Sequence, residues 1–202
     1  ELLAARAGNM LNLNSVSKQC GVSFPTAKRW LSLLESTRIV YLLRPFHGNV
    51  AKRIVKSPKL YFTDTGLLAY LLRYPDATTM RKGPMAGAFF ENFIVIEALK
   101  HKLNHNLNVE LFHYRDSNQN EIDLIIECAG SRHLIETKLS KTISPADGGT
   151  MQRLAPALND APATVLSCME TPRRLNRAVQ SRHWTALYDI LDNNGKTKHT
   201  KA

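Results

Sequence analysis

Residues 121–139, EIDLIIECAGSRHLIETKL, constrain the fold more than any other stretch of the chain. Two apolar runs flank a short glycine-containing segment, the pattern of a β hairpin whose strands enter a core. Yet the runs carry Asp123, Glu136 and Lys138. Side chains alternate faces along a strand. Glu121, Asp123, Ile125 and Glu127 therefore share one face of the first strand, and Leu134, Glu136 and Lys138 share one face of the second. With Ala129–Arg132 as the loop, Cys128 faces His133, Asp123 faces Lys138, and Glu136 lies one pleat away on the diagonal. Directly paired Cβ atoms stand about 5 Å apart and diagonal ones about 7–8 Å. Two carboxylates and an ammonium group thus converge on one patch of sheet.

Carboxylates that close raise each other's pKa unless positive charge lies between them. Lys138 supplies part of that charge and a divalent cation can supply the rest. Oxygen ligands without His or Cys nearby favour Mg²⁺ or Mn²⁺ over zinc. An upstream helix, MAGAFFENFIVIEALKHKLNHN, adds Glu91 on an apolar stripe with Ile94, Val95 and Ala98. The simpler reading is a cross-strand ion pair between Asp123 and Lys138 with Glu136 at a sheet edge. His113, His133 and His183 stand singly and read as packing or surface residues. Arg115 reads as a partner of Asp116 rather than a phosphate ligand, and Phe89, Phe90 and Phe93 read as core.

Charge separates the chain into two parts. Of its 27 basic and 17 acidic side chains, residues 1–65 hold ten and three, a balance of +7. Excess positive charge at one end suits a polyanionic partner. Within that end, NLNSVSKQCGVSFPTAKRWLSLLEST reads as two helices about a Gly21 turn. Asn14 or Ser15 caps the first helix, and Ser23 caps the second, with Pro25 in its first turn. Ala27, Trp30, Leu31 and Leu34 form the inward face of the second helix, leaving Lys28 and Arg29 outward. The strands RIVYLLRPF and KRIVKSPKLYF then form a wing bearing Lys52, Arg53 and Lys56. Such a winged helix-turn-helix can enter a DNA major groove through Lys28, Arg29, Lys52 and Arg53. It can equally serve as a protein-contacting lid.

The remainder reads as a long buried helix, three strands (VELFHYR, EIDLIIEC, HLIETKL), a helix (DGGTMQRLAPALND), a strand (ATVLSC) and the element TALYDIL. The basic PRRLNRAVQSRHW reads as surface. The fold class is thus α/β: a winged helix over 1–65, a short helix and linker over 66–83, a mixed sheet flanked by helices over 84–191, and a disordered tail over 192–202. No apolar run reaches the roughly 18–20 residues of a membrane span. Cys20, Cys128 and Cys168 lack metal-ligand spacing, so the expected setting is reduced and cytoplasmic.

Asp123 followed after twelve residues by Glu136-Thr137-Lys138, with Glu91 on a preceding helix, resembles the PD-(D/E)XK nuclease superfamily and its restriction-endonuclease-like sheet. The resemblance implies that Asp123 and Glu136 bind Mg²⁺ or Mn²⁺, that Lys138 orients or activates water, and that Glu91 is the helix acid. Gln152 matches a polar helper position. Ile122 stands where that superfamily commonly has proline. Over nearly the whole chain, YFTDTGLLAYLL, GAFFENFIVIEAL, YRDSNQNEIDLII and IETKLS look like the C-terminal half of a prokaryotic AAA-type ATPase family. There a winged helix and a nuclease-like domain of unknown function follow the ATPase core. No G-x-x-x-x-G-K-[ST] loop occurs in the chain, which also begins without Met, so ATP binding is expected only in an upstream domain of the same protein. The expected partners are duplex DNA, that ATPase domain and a homo-oligomeric copy. Two functions follow: a Mg²⁺-dependent nuclease-like phosphodiesterase, or an inactive nuclease fold and winged-helix lid that serve binding and assembly.

Overall fold

A computed structural model describes residues 1–47 and 55–195. The chain is a mixed α/β protein. It forms two compact units, one comprising residues 1–44 and 56–96, the other the described residues 45–47, 55 and 97–195.

In the first unit, α1 (Leu13–Gln19) and α2 (Phe24–Ser36) are joined through Gly21, whose φ of +66° the turn requires. Asn12 caps α1, accepting from the Ser15 amide at 3.0 Å, so the helix starts before the expected Asn14 or Ser15 cap. Ser23 caps α2 through the Thr26 amide. Strands β1 (Val40–Pro45) and β2 (Lys59–Phe62) pair antiparallel, and the Gly8–Leu11 segment bonds to the other edge of β2. Helices α3 (Thr65–Leu71) and α4 (Ala77–Lys82), capped by Asp64 and Asp76, occupy the stretch expected to hold a short helix and linker. Val16, Leu31, Val40, Leu60, Phe62, Leu68 and Phe89 share one core.

Ala27 and Leu31 of α2 are buried, but Trp30 is 51% exposed rather than inward. At about 100° per residue Trp30 lies about 60° from Ala27 and 100° from Leu31, outside an arc that Ala27 and Leu31 already fill. Lys28 and Arg29 are exposed. Lys52 and Arg53 lie outside the described residues.

Helix α5 (Ala86–Asn104) begins in the first unit and ends in the second. Its Asn92, fully buried, donates to the Phe62 carbonyl and accepts from the Phe62 amide, each at 2.8 Å, tying α5 to β2.

The second unit is built on a mixed sheet of β3 (Glu110–Arg115), β4 (Glu121–Cys128), β5 (Ser131–Lys138), β6 (Ala163–Ser167), β7 (Arg173–Arg174) and β8 (Val179–His183), in the order β3-β4-β5-β6-β8-β7. β3–β4–β5 is an antiparallel meander, and β6 and β8 run parallel to β5. A parallel return needs a crossover, which α6 (Gly149–Leu154) and the 3-10 turns beside it supply between β5 and β6. Met151, Ala155 and Leu158 pack there with Ile122, Ile125, Leu134 and Val165. Helix α7 (Ala186–Gly195) packs on β4 and β5 through an apolar face of Leu187, Ile190 and Leu191. The segment PRRLNRAVQSRHW, expected only as surface, contains the β7–β8 hairpin. Helix α7 runs to Gly195, so residues 192–195 of the expected tail are helical, and residues 196–202 lie outside the described residues.

Candidate functional site

The β4–β5 turn is two residues, Ala129 (φ 48°) and Gly130 (φ 82°), so Cys128 pairs with Ser131 instead of His133. Positive φ at both central positions defines the type I′ geometry that suits strand twist. The shorter turn moves β5 by two residues from the expected register. The ladder runs to Leu124↔Ile135, and beyond it the Asp123 carboxylate meets Thr137.

Asp123 also sits at a break in alternation. On the β3 side Phe112 pairs with Ile125 and Tyr114 with Ile122, so Asp123 and Leu124 together oppose His113. This is a β-bulge, a device that re-aims a side chain. It explains why Ile122 and Ile125, three residues apart, enter the same core, and why Asp123 does not share the face of Ile125. The Asp123 carboxylate instead reaches β5. Its Oδ2 accepts the Thr137 amide at 2.9 Å and the Thr137 hydroxyl at 2.8 Å, and the residue is 7% exposed.

One strand over, the Lys138 ammonium donates to Glu136 Oε1 at 2.8 Å. Burial alone would lower the Lys138 pKa. The hydrogen bond and charge of Glu136, with the charges of Asp123 and Asp147, outweigh it and hold the ammonium above its ordinary value. Lys138 therefore stays charged at neutral pH and suits stabilising negative charge better than accepting a proton. Asp147 belongs to a capping box, where its Oδ2 accepts the Ser144 amide and hydroxyl at 2.7 and 2.9 Å. Neither Asp147 nor the role of Thr137 was visible in the motif. The S-x-x-D spacing of Ser144 and Asp147 is the signal that marks the former.

Asp123, Glu136 and Lys138 are thus brought together in the second unit. Glu91 lies in the first, where its Oε1 accepts the buried Lys59 ammonium and the Tyr61 hydroxyl, both at 2.6 Å. That pairing gives the helix acid a structural task, since a buried ammonium needs a counter-charge. Arg115 pairs with Glu121 at 2.7 Å and not with Asp116, which accepts the Asn118 and Asn120 amides. His133 is buried against the Thr164 hydroxyl at 2.9 Å, as a packing residue. Gln152 is exposed on α6.

Among the described residues no group of three His, Cys, Asp or Glu side chains clusters to hold a metal ion. Asp123 and Glu136 are the hard-oxygen donor type that Mg²⁺ or Mn²⁺ takes. Mg²⁺ commonly takes one or two carboxylates and keeps water and substrate phosphate for its other positions. Asp123 and Glu136 would be the protein ligands.

Residues 86–186, half of the chain, match the family described as Domain of unknown function (DUF4143), and the chain belongs to that family. Residues 1–78 match a second family, Domain of unknown function (DUF8612). An uncharacterized protein of Mycobacterium bovis and another of Mycobacterium tuberculosis are each 34% identical over 143 residues, which is 71% of this chain and 32% of the relative. The matched region is thus about a third of the length of those relatives. No described helix is long and apolar enough to cross a membrane.

Proposed function

We propose that the second unit is a Mg²⁺- or Mn²⁺-dependent phosphodiesterase centre on a nuclease-type sheet, carried by a protein whose first unit binds duplex DNA. The observation that carries this reading is the bulge at Asp123. It turns a buried carboxylate onto Thr137, the residue between Glu136 and Lys138, whose own side chains are joined at 2.8 Å. A bound divalent ion would polarise a phosphoryl oxygen and lower the pKa of a coordinated water. The chain's own contribution is orientation and charge. Thr137 fixes the rotamer of Asp123, Glu136 holds Lys138, and the ammonium offsets negative charge that grows on the phosphate. On this reading Glu91 keeps the role of helix acid, with the Lys59 ammonium as its counter-charge.

The exposed Lys28 and Arg29 near the start of α2 support DNA contact by the first unit. On this reading ATP binding belongs to another part of the full-length protein, and the length of the mycobacterial relatives, of which the matched region is about a third, supports it. Three free cysteines accord with a cytoplasmic setting. The test is cleavage of supercoiled plasmid in Mn²⁺ by the intact chain and by Glu136→Gln. Cleavage lost in the variant supports the centre, and an inert wild type refutes it for this chain.

A second reading has its own observation. Trp30 and Leu33, three residues apart on α2, are 51% and 59% exposed. An apolar pair beside Lys28 and Arg29 suits a protein surface, as a lid on an ATPase part would present. Gel-shift titration separates the two readings. Salt-sensitive duplex binding that weakens in Lys28→Ala/Arg29→Ala favours DNA, and no binding at low salt favours the lid.

A further inference from the structure

The β7–β8 hairpin forms one wall of a cavity of about 290 Å³ that opens to solvent. Arg173, Arg174 and Arg177 line it with Gln180, over a floor that includes Ala163 and Val179. No acidic side chain is among the lining residues, and none of the three arginines makes a recorded ion pair among the described residues. Three guanidinium groups within five positions repel one another, and nothing in the wall offsets them. Arg182, by contrast, sits beside Asp189 at 3.0 Å.

The wall is also held in shape. Arg174 folds back so that its Nε donates to the Asn176 carbonyl at 3.2 Å and its Nη2 to the Arg177 carbonyl at 2.9 Å. Asn176 Oδ1 accepts the Ala178 and Val179 amides at 3.0 and 2.9 Å, closing the hairpin loop. The Arg173 carbonyl accepts the Ser181 hydroxyl at 3.2 Å. A loop so tied presents Arg173 and Arg177 from a fixed frame.

We infer that this cavity is an anion site that takes a phosphate group through Arg173 and Arg177, with Arg174 holding the loop between them. Arginine carries a planar fork of donors matched to phosphate oxygens. The volume lies at the small end of ligand pockets, roughly 300–1,000 Å³, which suits one or two phosphate groups better than a whole dinucleotide. The site is separate from the acidic centre. Ala163 and Val179 are paired where β6 and β8 begin, whereas Lys138, Ser167 and His183 are aligned where β5, β6 and β8 end. Four residues of strand, about 13 Å, lie between the two ends. The same chemistry could be offered by a nucleic-acid backbone or by a free phosphorylated compound.

Calorimetric titration of the intact chain with pyrophosphate, in EDTA, reads this site without any contribution from bound metal. The expected result is saturable binding that weakens about tenfold or more in Arg173→Ser/Arg177→Ser. Thermal melting confirms that the variant is folded, and Arg177→Gln alone serves if the double variant is not. Absence of pyrophosphate binding at millimolar concentration, or equal binding in the folded variant, overturns the proposal. A short oligonucleotide added as competitor then identifies the source. Displacement of pyrophosphate assigns the site to a nucleic-acid phosphate, and retention assigns it to a free phosphorylated compound.

Discussion

Asp123 is fastened to Thr137 twice through a single oxygen, at 2.9 Å from the amide and 2.8 Å from the hydroxyl. One carboxylate thus takes up a main-chain donor of β5 where the bulge interrupts β4. Thr137→Val removes the hydroxyl and keeps the amide. It should cost about 1 kcal/mol, the usual net worth of a hydrogen bond, with more lost to a charged acceptor. Urea unfolding with an unchanged m-value measures it. Stability equal to wild type would show that the hydroxyl contact contributes nothing.

Asn92 answers both main-chain groups of Phe62 at 2.8 Å from a fully buried position. Asn92→Ala leaves an amide and a carbonyl unpaired, and each orphaned group costs about 1–3 kcal/mol. Asn92→Asp keeps an acceptor for the Phe62 amide but sets a second oxygen against the Phe62 carbonyl, so it too should destabilise. Denaturation midpoints of the two variants, both well below wild type, are the expected outcome.

Ala129 occupies left-handed backbone at φ 48°, where its Cβ is unfavourable by roughly 1–2 kcal/mol. Ala129→Asn, the residue type that a type I′ turn prefers, should raise stability by a good part of that. A lower melting temperature in this variant would contradict the turn geometry.

Burial first, and the charge of Arg182 second, push the His133 imidazole down to about 4. The unfolded chain takes up its proton near pH 6.5, the folded chain only near 4. Between those values the unfolded state binds more protons, so stability falls as pH falls through that window. The stabilisation is fully present above about 6.5 and is lost by about 4, a change on the order of 3 kcal/mol. His133→Gln cannot titrate and should flatten this part of the pH profile, read by urea unfolding at several pH values.

Much of this architecture was legible in residue patterns. The Ser23 cap of α2, the buried stripe behind Glu91 and the hairpin of β4 and β5 all follow from spacing and polarity. Two features of the site did not. Alanine rarely enters left-handed backbone, so a sequence reading lengthens the Ala129–Gly130 turn to four residues and shifts β5 by two. The bulge at Asp123 leaves no local mark either, because it arises from pairing with β3. Together they put Thr137 at the Asp123 carboxylate, where the longer turn put Lys138. Trp30 was misplaced for a different reason: helical spacing marks candidates for burial, but neighbours decide how wide the buried arc is. The two-residue strand β7 is too short for periodicity to reveal, so its arginines read only as surface.

Calorimetric titration of Mn²⁺ into the wild-type chain and into Asp123→Asn/Glu136→Gln tests the central claim most directly. Both replacements keep side-chain size, so a folded variant is expected and far-ultraviolet circular dichroism verifies it. The account predicts saturable Mn²⁺ binding in wild type at millimolar concentration or below, weakened by at least about tenfold in the variant. No binding in wild type at millimolar Mn²⁺, or equal binding in the folded variant, would contradict it and leave Asp123 as the lock of a bulge and Glu136 as the partner of Lys138.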